Sequence, residues 1–211
     1  ALTSAQTAML TTSQIQSMTT DQIQAFGTDD IKALTTAQVK GFTTQQIAAM
    51  TSSQIAALEI QDLASLTILQ IVGMTTDGIA ALTNTQVAAL TSDQLKAMTS
   101  DQIRALSTSQ IAALSTASIK GIDGSDLAEL STDQIVALTT VQTAMLTTQQ
   151  LQSLTTDQIV AFGTEHIRAL MPTQMKGLTT DQIVALTTEQ IALMETQDLA
   201  ALTTAQIPAL T

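Results

Sequence analysis

Large apolar residues recur along the chain at alternating spacings of five and three, beginning at Leu2. Framed on that pattern, the sequence divides into 26 octads without insertion or deletion and ends on Leu210-Thr211. A representative octad is Leu154-Thr155-Thr156-Asp157-Gln158-Ile159-Val160-Ala161. Position 1 is Leu, Met, Ile or Phe throughout, and position 6 is Ile, Leu, Val or Met except at Thr7 and Thr143. Position 5 is Gln in 19 of the 26 octads, and position 8 is mostly Ala, Gly or Ser.

The pattern predicts one very short helix per octad. With position 2 as N-cap and position 5 as N3, Thr or Ser and Gln form a capping box, and positions 1 and 6 form a hydrophobic staple. Three details agree with this register. Pro172 falls at the first helical position, where proline is tolerated. Asp or Glu is frequent at position 4, where it meets the positive end of the helix. All seven basic residues (Lys32, Lys40, Lys96, Arg104, Lys120, Arg168, Lys176) occupy position 7, near the negative end. A continuous helix is excluded, because eight residues advance about 800° and the apolar stripe would rotate about 80° per octad. Strands are excluded because they need alternation of period two.

One octad offers two large apolar anchors, too few to offset the entropy of ordering eight residues. Octads must therefore stack, which predicts an all-α solenoid stabilised by contacts between neighbours. Two octads per solenoid turn is the preferred expectation, with three as the alternative. The expected organisation is a single continuous solenoid over residues 1–211, uncapped at both ends. A longer period overlies the octad: Thr7 to Leu66 returns as Thr143 to Leu202, a shift of 17 octads. Within it recur octads with acidic residues at positions 2 and 5: Glu59/Asp62, Asp123/Asp126 and Glu195/Asp198.

Composition narrows the functional classes. The net charge of −11, from 18 acidic and 7 basic side chains, argues against nucleic acid or an anionic membrane as partner. No apolar run is long enough to span a bilayer. Cys, Trp and Tyr are absent, so thiolate metal sites and disulfides are excluded and the core is aliphatic. The single histidine, His166, stands at position 5 and is expected to cap or face solvent. Asp123, Asp126 and Glu129 form a weak calcium candidate, because hard cations want clustered oxygens, although the spacing is not that of an EF-hand. No nucleophile–base pair or metal set is evident, so no enzyme and no cofactor are expected. Position 3 is Thr or Ser in 21 of 26 octads, a hydroxyl row that could in principle meet ice or carbohydrate.

The LTTDQIxAL units resemble tandem repeats in very large secreted bacterial surface proteins, those termed adhesin-like or haem-utilisation/adhesion proteins. The resemblance covers the whole chain and transfers no binding residues. It implies an exported, extracellular protein at the bacterial surface. The expectation is a structural fibre, stalk or matrix filament that assembles with itself end to end or laterally. The alternative is a binding module that presents one repeated face to glycan, ice or a protein.

Overall fold

The computed structural model describes residues 2–210. Among them, 24 octads form α-helices of four to six residues, two form 3-10 turns, and no strand is present. Thr155 shows why each helix starts where it does. Its backbone is extended (φ −70°, ψ 160°), its hydroxyl accepts from the Gln158 N–H at 3.2 Å, and its own N–H donates to Gln158 Oε1 at 2.9 Å. Two of the donors orphaned at a helix start are thereby satisfied. The helix Thr156–Ala161 then runs until Phe162, where the backbone is no longer helical (φ −55°, ψ 124°). Capped starts of this kind recur along the chain, as at Thr43, Thr91 and Ser131.

The two 3-10 turns have local causes. In Ile119–Gly121 the preceding Ser118 replaces Gln, and its short side chain turns back onto Ser115. In Ile207–Ala209 the central residue is Pro208, which has no N–H to donate and whose ring blocks an α turn.

The chain divides into two compact units, Ala1–Leu114 and Ser115–Thr211. In the first unit, helix Thr20–Gln24 packs against Thr44–Ala49, and Thr28–Lys32 against Ser52–Ala57. In the second, Thr132–Val136 packs on Thr156–Ala161, which packs on Thr180–Ala185. Each partner lies three octads along the chain. Side-chain bonds across the same seam reach 28 to 31 residues back, as from Gln158 to Leu130 and Leu127. A turn therefore holds between three and four octads in each unit. The expectation of two is corrected: the extended corner at each N-cap turns the chain through less than a half circle, so two octads do not close a turn.

Positions 1, 5 and 6 face inward. Phe162, Gln158 and Ile159 are all buried, and the same three positions are buried in octad after octad. In each unit the core is mostly aliphatic, with Phe26 and Phe42 in the first and Phe162 in the second, and is flanked by a line of buried amides.

Candidate functional site

The buried amides are the most specific chemistry in the molecule. From Gln38 onward, position-5 glutamines such as Gln54 and Gln158 use their two ends differently: Oε1 closes the cap of the residue's own helix, and Nε2 donates to the preceding turn. Gln158 Nε2 reaches the carbonyls of Leu127, Ala128 and Leu130 at 2.9, 3.3 and 2.8 Å. Gln54 repeats the pattern in the first unit, with the carbonyls of Ile23, Gln24 and Phe26 at 2.7, 3.3 and 2.9 Å. The acceptors are carbonyls at the end of one helix and the start of the next corner; Leu127 and Ile23 also accept from the backbone N–H three residues on, whereas Leu130 and Phe26 accept from no backbone N–H among the described residues. One side chain thus starts a helix and closes the end of another.

The octad pattern identified the cap but not this second bond. A usable signal was present. Glu would cap as well as Gln, yet no octad has Glu at position 5. A carboxylate has no N–H to give, and the four carboxylates at position 5 are all the shorter Asp, so the preference for Gln over Glu points to a donor at the full reach of the side chain.

Exceptions to glutamine show what the seam demands. His166 puts Nε2 2.6 Å from the Leu138 carbonyl, 28 residues back, in the place of a glutamine amide. A carbonyl only accepts, so Nε2 carries the proton and Nδ1 is left buried without a partner. The imidazole stacks on Phe162, with ring centroids 5.3 Å apart. Asp30 accepts from the Gly27 N–H at 2.9 Å and from the Ser4 hydroxyl at 3.0 Å. Asp62 accepts from the Thr36 hydroxyl at 2.7 Å, also 26 residues back. Asp198 accepts from the Glu195 N–H at 3.2 Å, and Pro172 stands where a hydroxyl would have faced it.

A second inter-turn contact accounts for the hydroxyl row. Position 8 of one octad packs on position 3 of the octad three earlier. A Cβ built on Gly41 or Gly177 would run into the γ-methyl of Thr12 or Thr148, and one on Gly73 would lie 3.2 Å from Thr44. The position-3 residues are therefore partly engaged in stacking rather than wholly presented to solvent.

The calcium candidate is not assembled. Asp123 is exposed at the start of helix Gly124–Ala128, Asp126 is buried in its first turn, and Glu129 is exposed beyond its end. The helix separates the three carboxylates instead of converging them. Among the described residues, no three His, Cys, Asp or Glu side chains gather to hold a metal ion, and no helix is long and apolar enough to cross a membrane.

The ALTTAQ repeat family model matches at residues 23–59, 55–92, 87–123, 119–156 and 159–194. The chain belongs to the ALTTAQ repeat family. The first four matches begin at Ile23, Ile55, Val87 and Ile119, so the family unit advances by four octads. An ALTTAQ unit is thus just long enough to contain a glutamine and the carbonyls it bridges in the turn before. No curated protein matches the chain.

The ALTTAQ octads that carry charge follow a rule of their own. A basic pair precedes each acidic cap at the same two intervals: Lys32 and Lys40 before Glu59, Lys96 and Arg104 before Asp123, Arg168 and Lys176 before Glu195. In the first unit, helix Ile60–Ser65 packs on Thr36–Lys40, and Lys32 and Glu59 line one open groove. In the second, Thr196–Ala201 packs on Pro172–Gly177, and Arg168 and Glu195 share a groove. In these two cases, one within each unit, an acidic octad packs on a basic one a turn back. A register slip of one turn would lose this complementarity, so the charged octads help to set the stack.

Proposed function

We propose that this ALTTAQ chain is a non-catalytic structural segment of a secreted bacterial surface protein, serving as fibre, stalk or matrix filament. The glutamine seam is the observation that carries this reading. From Gln38 onward, the glutamine octads direct a buried amide at the turn before them, so the regular feature of the sequence serves stacking rather than a converging cleft. A solenoid held by nearest-neighbour bonds gains length by adding octads without a new core. The resemblance of the LTTDQIxAL units to repeats of adhesin-like proteins supports placement outside the cell.

One surface feature supports lateral self-association. Val136, Val160 and Val184 occupy position 7 of three successively packed helices and are 42, 45 and 59% exposed. They line up as an apolar ridge along the second unit. Electron microscopy of the purified chain tests assembly, with filaments or lateral bundles expected. Discrete particles that never associate at high concentration count against it. Protease shaving of intact source cells tests the location: release of ALTTAQ peptides is expected, and their retention inside the cell overturns the extracellular reading.

A repeat-face binding module is the second reading, favoured by exposed position-3 hydroxyls such as those of Thr44, Thr156 and Thr180. Glycan-array binding or inhibition of ice recrystallisation by the purified chain would promote it.

A further inference from the structure

Two seam positions carry a group of the wrong kind for their place. Asp62 and Asp198 are 0 and 1% exposed, and each has one carboxyl oxygen buried without a partner, Oδ2 of Asp62 and Oδ1 of Asp198. Flanking glutamines define what faces them. Gln54 and Gln70, on either side of Asp62, donate to the Phe26 and Phe42 carbonyls 28 residues back. The same offset from Asp62 is Leu34, and from Asp198 it is Leu170. Among the described residues no donor reaches either carbonyl. By register, each orphan carboxyl oxygen belongs to the residue that holds a glutamine's place opposite that carbonyl, and neither acceptor is supplied with a hydrogen.

We propose that Asp62 and Asp198 each take up a proton in the folded chain and donate it towards the Leu34 and Leu170 carbonyls, making these two joints of the solenoid tighten in acid. A protonated carboxyl has the O–H donor and carbonyl acceptor that a glutamine amide supplies. The donor missing from the seam is therefore restored by a single proton.

The surrounding charges fit this arrangement. Asp62 has Glu59 at its own cap, Lys40 on the packed helix Thr36–Lys40 and no charged group on the packed helix Asn84–Ala88. The helix before Leu34 adds Asp29, Asp30 and Lys32. Asp198 has Glu195 at its cap and Lys176 on the packed helix Pro172–Gly177, while the helix before Leu170 adds Glu165, His166 and Arg168. Burial is the main influence and raises both carboxyls above their ordinary value of 3.8. The Thr36 hydroxyl pulls Asp62 partly back and the Glu195 N–H does so for Asp198, while Glu59 and Glu195 add to the rise. A folded value above the unfolded one means that stability is fully present below 3.8 and is lost as pH climbs through the folded value.

Thermal unfolding of the full chain, followed by circular dichroism from about pH 4 to about pH 8, tests the proposal with D62N and D198N. Asn keeps an N–H donor at every pH. Each variant should match the parent near pH 4 and melt about 2–4 °C above it near pH 8. A gap that does not change with pH, or that is widest in acid, overturns the proposal. Carbon-13 NMR of the carboxyls gives an independent reading. Two aspartates should titrate above the rest, one disappearing in each variant; absence of any such resonance overturns the proposal. A rise in the parent's melting temperature near pH 8 on adding sodium or calcium, absent in D62N and D198N, also overturns it, because a cation would then occupy the proton's place.

Discussion

His166 Nε2 lies 2.6 Å from the carbonyl oxygen of Leu138, the bond a glutamine amide makes elsewhere along the seam. Replacement by Gln should therefore preserve the inter-turn bond. It should also supply an Oε1 for the Gly163 N–H, where His166 Nδ1 is now unpartnered. H166Q is expected to be neutral to about 1 kcal/mol stabilising, and H166E to cost about 1–3 kcal/mol, because a carboxylate would face a carbonyl. Chemical denaturation of the two variants beside the parent measures the difference.

The seam makes a sharper demand at Gln158. Q158E is nearly isosteric and keeps the acceptor that closes the Thr155 cap, but it loses the donor to three carbonyls of the preceding turn. Cap loss alone costs about 1 kcal/mol. Here the cap survives, so the expected loss of about 1–3 kcal/mol reports the inter-turn bond. Amide exchange should quicken around Leu127–Leu130 as well as around Gln158. Faster exchange confined to residues 155–162 would contradict the bridge.

Gly177 and Thr148 test the close approach of successive turns. Adding a methyl at Gly177 drives it into the Thr148 γ-methyl, so G177A should destabilise by about 1–3 kcal/mol despite the better helix propensity of Ala. T148S removes that methyl, and the double variant should recover most of the loss. A double-mutant cycle with no coupling would refute the contact.

Two threonines replace the aliphatic anchor of position 6, and they should differ. Thr143 Oγ1 donates to the Thr139 carbonyl at 3.1 Å, whereas Thr7 Oγ1 is buried with no partner. T7V is expected to stabilise by about 1 kcal/mol and T143V by less, because only the first relieves an unsatisfied hydroxyl. Melting temperatures of the two valine variants provide the comparison.

Local rules made much of the fold legible. Caps, staples and helix starts depend on residues within one octad, so the register read from Thr155, Gln158 and Ile159 is the register observed. The number of octads per turn was not legible, since it depends on the angle of each extended corner and on contacts three to four octads away. The second role of glutamine lay between these extremes. The preference for Gln over Glu at position 5, where the carboxylates present are all Asp, signals a donor, but the acceptor is visible only once the turns are stacked. Asp123, Asp126 and Glu129 are near in sequence yet are parted by the helix between them, whereas Lys32 and Glu59 are distant and share a groove.

The two kinds of inter-turn contact differ in their tolerance of change in length. A glutamine finds equivalent carbonyls whichever octad lies beneath it, so whole octads can enter or leave the ladder without penalty. Acidic octads cannot be shifted so freely: removing one octad between Lys40 and Glu59 would bring Lys32 to the interval that Lys40 now keeps, and Lys40 would lose its place beneath the acidic cap. Length is thus editable in steps of eight along plain stretches, while the intervals Lys32–Glu59 and Arg168–Glu195 behave as fixed gauges. A gene that grows by copying blocks would keep such gauges whole, as the 17-octad duplication does.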